Sequence, residues 1–116
     1  MSVSKQIVEK WHEALNQGNV EEMAALVHPD VEIVGPRGST QGVQMMREWF
    51  VRANVRLVPV AYFANGQTSH GHTLVVQENG EWIDPATGDM QSSLPVVTIF
   101  CITDQRITRI VRCDPV

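Results

Sequence analysis

The chain has 116 residues, 43% hydrophobic and 19% charged. That supports a single domain over 1–116 with a real core, and excludes two domains or general disorder. Nine basic residues against 13 acidic ones give a net charge of −4, without the basic excess of a duplex nucleic-acid binder, so no nucleic-acid partner is expected.

In chain order, Ile7, Val8, Trp11, Ala14 and Leu15 recur at helical spacing, and Gly18 suits the end of that helix. Asn19, with Glu22 three residues on, starts a second helix with the stripe Val20, Met23, Ala24 and Val27. Pro29 stops it. A strand is predicted over Val31–Val34, then a glycine-rich turn, GPRGSTQG, that lacks the Gly-Lys-Ser/Thr ending of a phosphate-cradling loop. A third helix is predicted over Val43–Ala53, burying Val43, Met46, Trp49, Phe50 and Ala53. The rest reads as strand. Pro59 demands an edge position or a bulge. Turns are expected at Asn65-Gly66, at Asn79-Gly80 as the strongest hairpin signal, at Asp84–Gly88, and near Asp104-Gln105. Helices first and strands after point to an α+β domain, whose small sheet must curl over its helices and leave a cavity.

The longest apolar run, LPVVTIFCI from Leu94, is too short for a bilayer, and the opening MSVSK is not a signal region. A cytoplasmic protein without a membrane partner is expected. Cys101 and Cys113 are too few to staple the fold and are expected as free, buried thiols.

The segment VEKWHEALNQGNVEEMAALVHPDVEIVGPRGSTQGVQMMREWF and the closing VVTIFCITDQRITRIVRCDP resemble the nuclear-transport-factor-2-like superfamily, in its SnoaL-like and ketosteroid-isomerase-like branch, over roughly residues 7 to 115. The resemblance implies a cone-shaped, curved antiparallel sheet enclosing three N-terminal helices, an apolar pocket at one end, and a homodimer through the outer sheet face. Against the ketosteroid isomerases, Gly35 stands where the base would be, Trp11 replaces the tyrosine donor and Thr98 replaces the acidic oxyanion partner. The SnoaL-like cyclases match better at the end, where Asp114 takes the place of their acid–base aspartate. The histidine of their preceding strand has no counterpart at Val96, Thr98 or Phe100, and His70 or His72 is the expected substitute.

The candidate acid–base residues are therefore Asp114 and His72. The candidate pocket lining is Trp11, Ile33, Trp49, Phe50, His70, Thr98, Phe100, Ile110 and Arg112. His70-x-His72 puts two rings on one strand face, but without a third and fourth ligand no metal is expected. His12 and His28 are expected to be exposed, and Glu32 to point away from the cavity when Ile33 points in. Arg37 lies in a turn that could close over the mouth. The last hairpin decides which residues face inward. A two-residue Asp104-Gln105 turn groups Thr98 and Phe100 with Arg109 and Val111. A three-residue bulged loop including Arg106, the expected case, groups them with Ile110, Arg112 and Asp114. The resulting expectation is a domain binding a compact apolar or polycyclic molecule, without cofactor, as an isomerase, cyclase or dehydratase, with Arg112 or Trp11 steadying an oxyanion. The alternative is a non-catalytic ligand-binding or dimerisation domain of the same fold.

Overall fold

The computed structural model describes residues 3–36, 38–68 and 71–113, and the side chains of all of these except 64–68. Three helices come first, α1 (Val3–Asn16), α2 (Val20–Ala25) and α3 (Val43–Ala53). Helix α1 buries the expected stripe of Ile7, Val8, Trp11, Ala14 and Leu15. It ends before Gly18, whose φ of 71° is the left-handed conformation glycine tolerates best. The Asn19 side chain accepts from the Glu22 backbone N–H at 3.1 Å, capping α2 as its sequence suggests. Helix α3 has the predicted bounds, but its face is shallow: Met46 is buried, while Val43, Trp49, Phe50 and Ala53 are half-buried against the core.

Six strands form one sheet in the order β2-β1-β6-β5-β4-β3. They are β1 (Val27–Gly35), β2 (Gly38–Gln41), β3 (Val55–Thr68), β4 (Gly71–Ile83), β5 (Met90–Thr103) and β6 (Arg106–Cys113). β3 to β6 form an antiparallel meander. β1 then adds to β6 in parallel, so the sheet is mixed and not wholly antiparallel as expected. The α+β cone itself is as expected, and the sheet is open, ending in β2 and β3. The glycine-rich stretch read as a turn holds β2, which pairs back onto β1 through Gly35 and Gly38. Pro59 lies on edge strand β3, paired with Glu78 at a register shift before Ala61, the kind of position a proline in a sheet requires.

Two turn expectations fail. Asn79-Gly80 lies inside β4, opposite Val58 and Leu57 on one side and Pro95 and Leu94 on the other. Gly80 is there for space. A Cβ on it would stand 3.0 Å from both the Trp82 ring and Val96 Cγ2, so the bare glycine lets the indole fold down onto the sheet. Asn65-Gly66 lies within β3, at a register shift between Ala64 and Gln67, and makes no turn. The Asp84–Gly88 turn forms as read, closed by Gly88 N–H donating to Asp84 O at 2.8 Å.

The last hairpin combines both alternatives. Thr103 pairs with Arg106, so the turn is the two residues Asp104 and Gln105, both at positive φ (52° and 64°). The ladder then shifts: Ile102 faces Ile107, but Cys101 faces Arg109, leaving Thr108 as the extra residue of a bulge. That single residue restores the expected grouping, with Thr98 opposite Arg112 and Phe100 opposite Ile110. The expected grouping holds for Ile110 and Arg112, Asp114 lying outside the described residues, but its expected cause, a three-residue loop, is corrected to a tight turn plus a bulge.

The core lies between the helices and the inner sheet face, where Trp11, Met23, Met46, Leu57, Val76, Phe100, Ile107 and Ile110 are almost wholly enclosed. Asn16 pins α1 to β3. Its amide donates to Leu57 O and accepts from Leu57 N, both at 2.9 Å. Among the described residues no helix is long and apolar enough to cross a membrane.

Candidate functional site

Inner-face positions of β4 alternate as Leu74, Val76, Glu78 and Gly80, all buried. Glu78 thus places a carboxyl group in an apolar layer, with 0% of it exposed. From α1, His12 meets it. His12 lies four residues after Val8 and three before Leu15, inside the buried arc of the helix, and is only 2% exposed. This corrects the expectation that His12 is exposed. His28 is exposed as expected, and Glu32 faces the other side of the sheet, pairing with Arg109 at 2.5 Å.

The hydrogen bonds fix the chemistry of the pair. His12 Nδ1 lies 2.8 Å from the Val8 carbonyl. A carbonyl can only accept, so Nδ1 carries a hydrogen. His12 Nε2 bonds Glu78 Oε2, and Thr98 Oγ1 donates to Glu78 Oε1. One proton therefore lies between Nε2 and Oε2, as imidazolium with carboxylate or as imidazole with carboxylic acid. Thr98, opposite Arg112 across the β5–β6 ladder, is itself fully buried.

Aromatic rings enclose this group. Trp11 stands edge-on to His12, Phe50 and Phe100, with centroids 5.3, 5.2 and 5.2 Å apart. Tyr62, half-buried on β3, lies 6.4 Å from the His12 ring, with Lys5 Nζ 5.2 Å from its own centroid. Its pKa is pushed up to about 12, first by burial and then by the negative charges of Glu9, Glu78 and Glu13. The pair is thus separated from solvent by half-buried rings, Tyr62 beside His12 and Phe50 beyond Trp11. A molecule reaching it must move one of them.

Of the expected lining, Trp11, Ile33, Thr98, Phe100 and Ile110 come together in the interior. Trp49 and Phe50 are half-buried against it. Arg112 is half-buried, with its guanidinium 5.7 Å from the Trp82 ring centroid. His72 is exposed at the start of β4, opposite Ile102. Six residues of strand, about 20 Å, separate it from Glu78. His70, Arg37 and Asp114 lie outside the described residues. Cys101 and Cys113 are free as expected, but Cys101 is half-buried and Cys113 exposed, because both stand on the outer face and not in the core. That outer face also carries an open concavity of about 820 Å³, lined by polar residues including Asp30, Glu32, Arg106 and Arg109. No metal-binding cluster occurs among the described residues.

His12 and Glu78 escaped the sequence reading, though each left a signal. One is a histidine inside a helical apolar arc, the other a glutamate on the inward beat of an alternating strand.

Three helices against an open, bent, mixed sheet, with a polar pair buried between them, define an α+β cone of the nuclear-transport-factor-2-like class. The SnoaL-like domain family model matches residues 8–110, and the chain belongs to that family. Among solved structures, it resembles an NTF2-like protein of unknown function from Burkholderia pseudomallei (20% identity, 99% of this chain and 92% of that one, TM-score 0.79). It also resembles a candidate polyketide cyclase from Xanthomonas campestris (22% identity, 97% and 90%, TM-score 0.78). A third is TerC, co-crystallised with polyporic acid (19% identity, 98% and 92%, TM-score 0.77). No curated protein matches the sequence.

Proposed function

We propose that this protein binds a compact, largely apolar molecule within the cone and moves a proton on it. The reaction would be an isomerisation, cyclisation or dehydration needing no cofactor, with His12 and Glu78 as the acid–base pair. The observation that carries this reading is the His12–Glu78 pair set in an apolar interior. Such a pair is a poor stabiliser, because the cost of taking both groups out of water can exceed their attraction. An interior built for packing alone would hold apolar side chains there. A pair sharing one proton can accept a second from a bound molecule, becoming imidazolium and carboxylic acid, and return it to another atom. It can equally give up the shared proton first and recover it at the end. Both cycles leave the protein unchanged, as isomerisation and dehydration require. The crystallisation of the structural neighbour TerC with polyporic acid supports a small-molecule role.

The exposure of His72 moves the acid–base role to His12, while Asp114, directly after β6, stays in the proposal as a second acid. A homodimer through the outer sheet face, where Val58, Phe63 and Val97 are exposed, is also part of it, and light scattering tests that. The enclosure of the pair favours a second reading, a binding domain in which His12 and Glu78 only shape the interior.

Exchange of the acetophenone methyl protons for deuterium in D2O, followed by NMR, separates these readings. The native protein should accelerate it, and Glu78→Gln should lower the rate about a hundredfold or more. No acceleration by the native protein leaves the binding-domain reading. A rate unchanged in Glu78→Gln but lost in Asp114→Asn transfers the role to Asp114.

A further inference from the structure

Trp11 is fully buried, yet its indole Nε1–H has no hydrogen-bond partner among the described residues. The polar groups beside it are committed to one another: His12 to Val8 and Glu78, Glu78 to Thr98. Leaving such a donor unmet costs about 1–3 kcal/mol. We propose that the Trp11 N–H holds an oxygen of the bound molecule, and so makes the site select a compact aromatic ligand with an uncharged oxygen acceptor. This rests on the small-molecule reading above and names the chemistry that the site recognises.

The argument for each part of that ligand is physical. An indole N–H only donates, so its partner must accept. The acceptor is uncharged, because Phe50 and Phe100 beside Trp11 carry no charge, any positive charge on the neighbouring His12 is already matched by Glu78, and an unpaired buried anion is expensive. The ligand is flat, because Trp11, Phe50, Phe100 and His12 stand edge-to-face and favour another ring among them. It is compact, because it enters by displacing a half-buried ring, and Phe50 is the one in contact with Trp11.

Acetophenone and α-methylstyrene form a matched probe pair, since one carries =O where the other carries =CH2. With ¹⁵N-labelled protein, the three tryptophans give three indole signals, and Trp11→Phe assigns that of Trp11. Acetophenone should move this signal downfield and α-methylstyrene should not. The ketone should bind about tenfold more tightly than the alkene, and Trp11→3-benzothienylalanine, which swaps N–H for sulfur at nearly constant shape, should erase the difference. An unmoved Trp11 signal at saturating ketone overturns the proposal, and shows the N–H directed at a ring face or a buried water. So does the lack of saturable binding of either probe at millimolar concentration, or a ketone preference that survives the sulfur analogue. The same ketone keeps the two readings apart. A moved Trp11 signal without methyl-proton exchange removes the proton-transfer reading and leaves this one standing, and exchange with an unmoved signal does the reverse.

Discussion

His12 of α1 and Glu78 of β4, 66 residues apart, share one proton in the interior of the cone. The Val8 carbonyl fixes the imidazole tautomer on one side, and the Thr98 hydroxyl occupies the free carboxyl oxygen on the other. Each group thus arrives from a different element already held by a second partner, while the Glu78 carboxyl oxygens keep further lone pairs.

Removing one member strands the other. Glu78→Ala or His12→Ala should each cost about 3–5 kcal/mol of unfolding free energy in urea. The double change to His12→Leu with Glu78→Met should recover most of that loss, because it removes both polar groups together. Equal destabilisation by the double variant and by either single one would show that the pair holds the fold and is not merely tolerated by it.

Gly80→Ala tests the packing of Trp82. The new methyl group would meet the indole at 3.0–3.1 Å and Val96 at 3.0 Å. The ring must lift, loosening its contact with the Arg112 guanidinium. We expect a loss of about 1–3 kcal/mol in denaturant melts, together with a changed Trp82 fluorescence. A variant as stable as the parent would mean that Trp82 has room to move.

Tyr62 is the only tyrosine in the chain, so phenolate absorbance reports it alone. Its midpoint should lie near pH 12 and fall toward 10 in Glu9→Gln, which removes one of the negative charges opposing ionisation. Burial and these charges raise the folded-state pKa above the unfolded value of about 10. The associated stability is therefore complete below pH 10 and is lost as pH rises toward 12. A midpoint near 10 in the native protein would place Tyr62 in open solvent.

Asp104 and Gln105 both hold positive φ without being glycine. Asp104→Asn with Gln105→Gly installs the pair that such a two-residue turn prefers, and should add about 0.5–1 kcal/mol. Removing Thr108 deletes only the extra residue: Ile102 still faces Ile107, Cys101 still faces Arg109 and Phe100 still faces Ile110, so the chain should keep its inward face and unfold cooperatively by calorimetry.

The sequence by itself determined α1, α3, the start of α2, the α+β class and most of the inward face. Helix α2 ends at Ala25, so Val27 of its expected stripe and Pro29, its expected stop, belong to β1. Helical spacing from Ile7 to Leu15, the Asn19 cap and the Val43–Ala53 stripe are local signals, and local hydrogen bonds and side-chain periods enforce them. Period two likewise made Thr98 and Phe100 legible as one face of a strand. Tertiary structure alone decided what depends on partners distant in the chain. Asn79-Gly80 reads as a turn until Trp82 is seen to need the space over it. The parallel joining of β1 to β6 follows from the whole meander closing onto the first strand, which no local pattern announces. His12 reads as a surface residue on a helix flank, because nothing near it in sequence reveals the carboxyl group that satisfies it. A buried charge survives only with its partner present, and here that partner arrives on a strand folded from the other half of the chain.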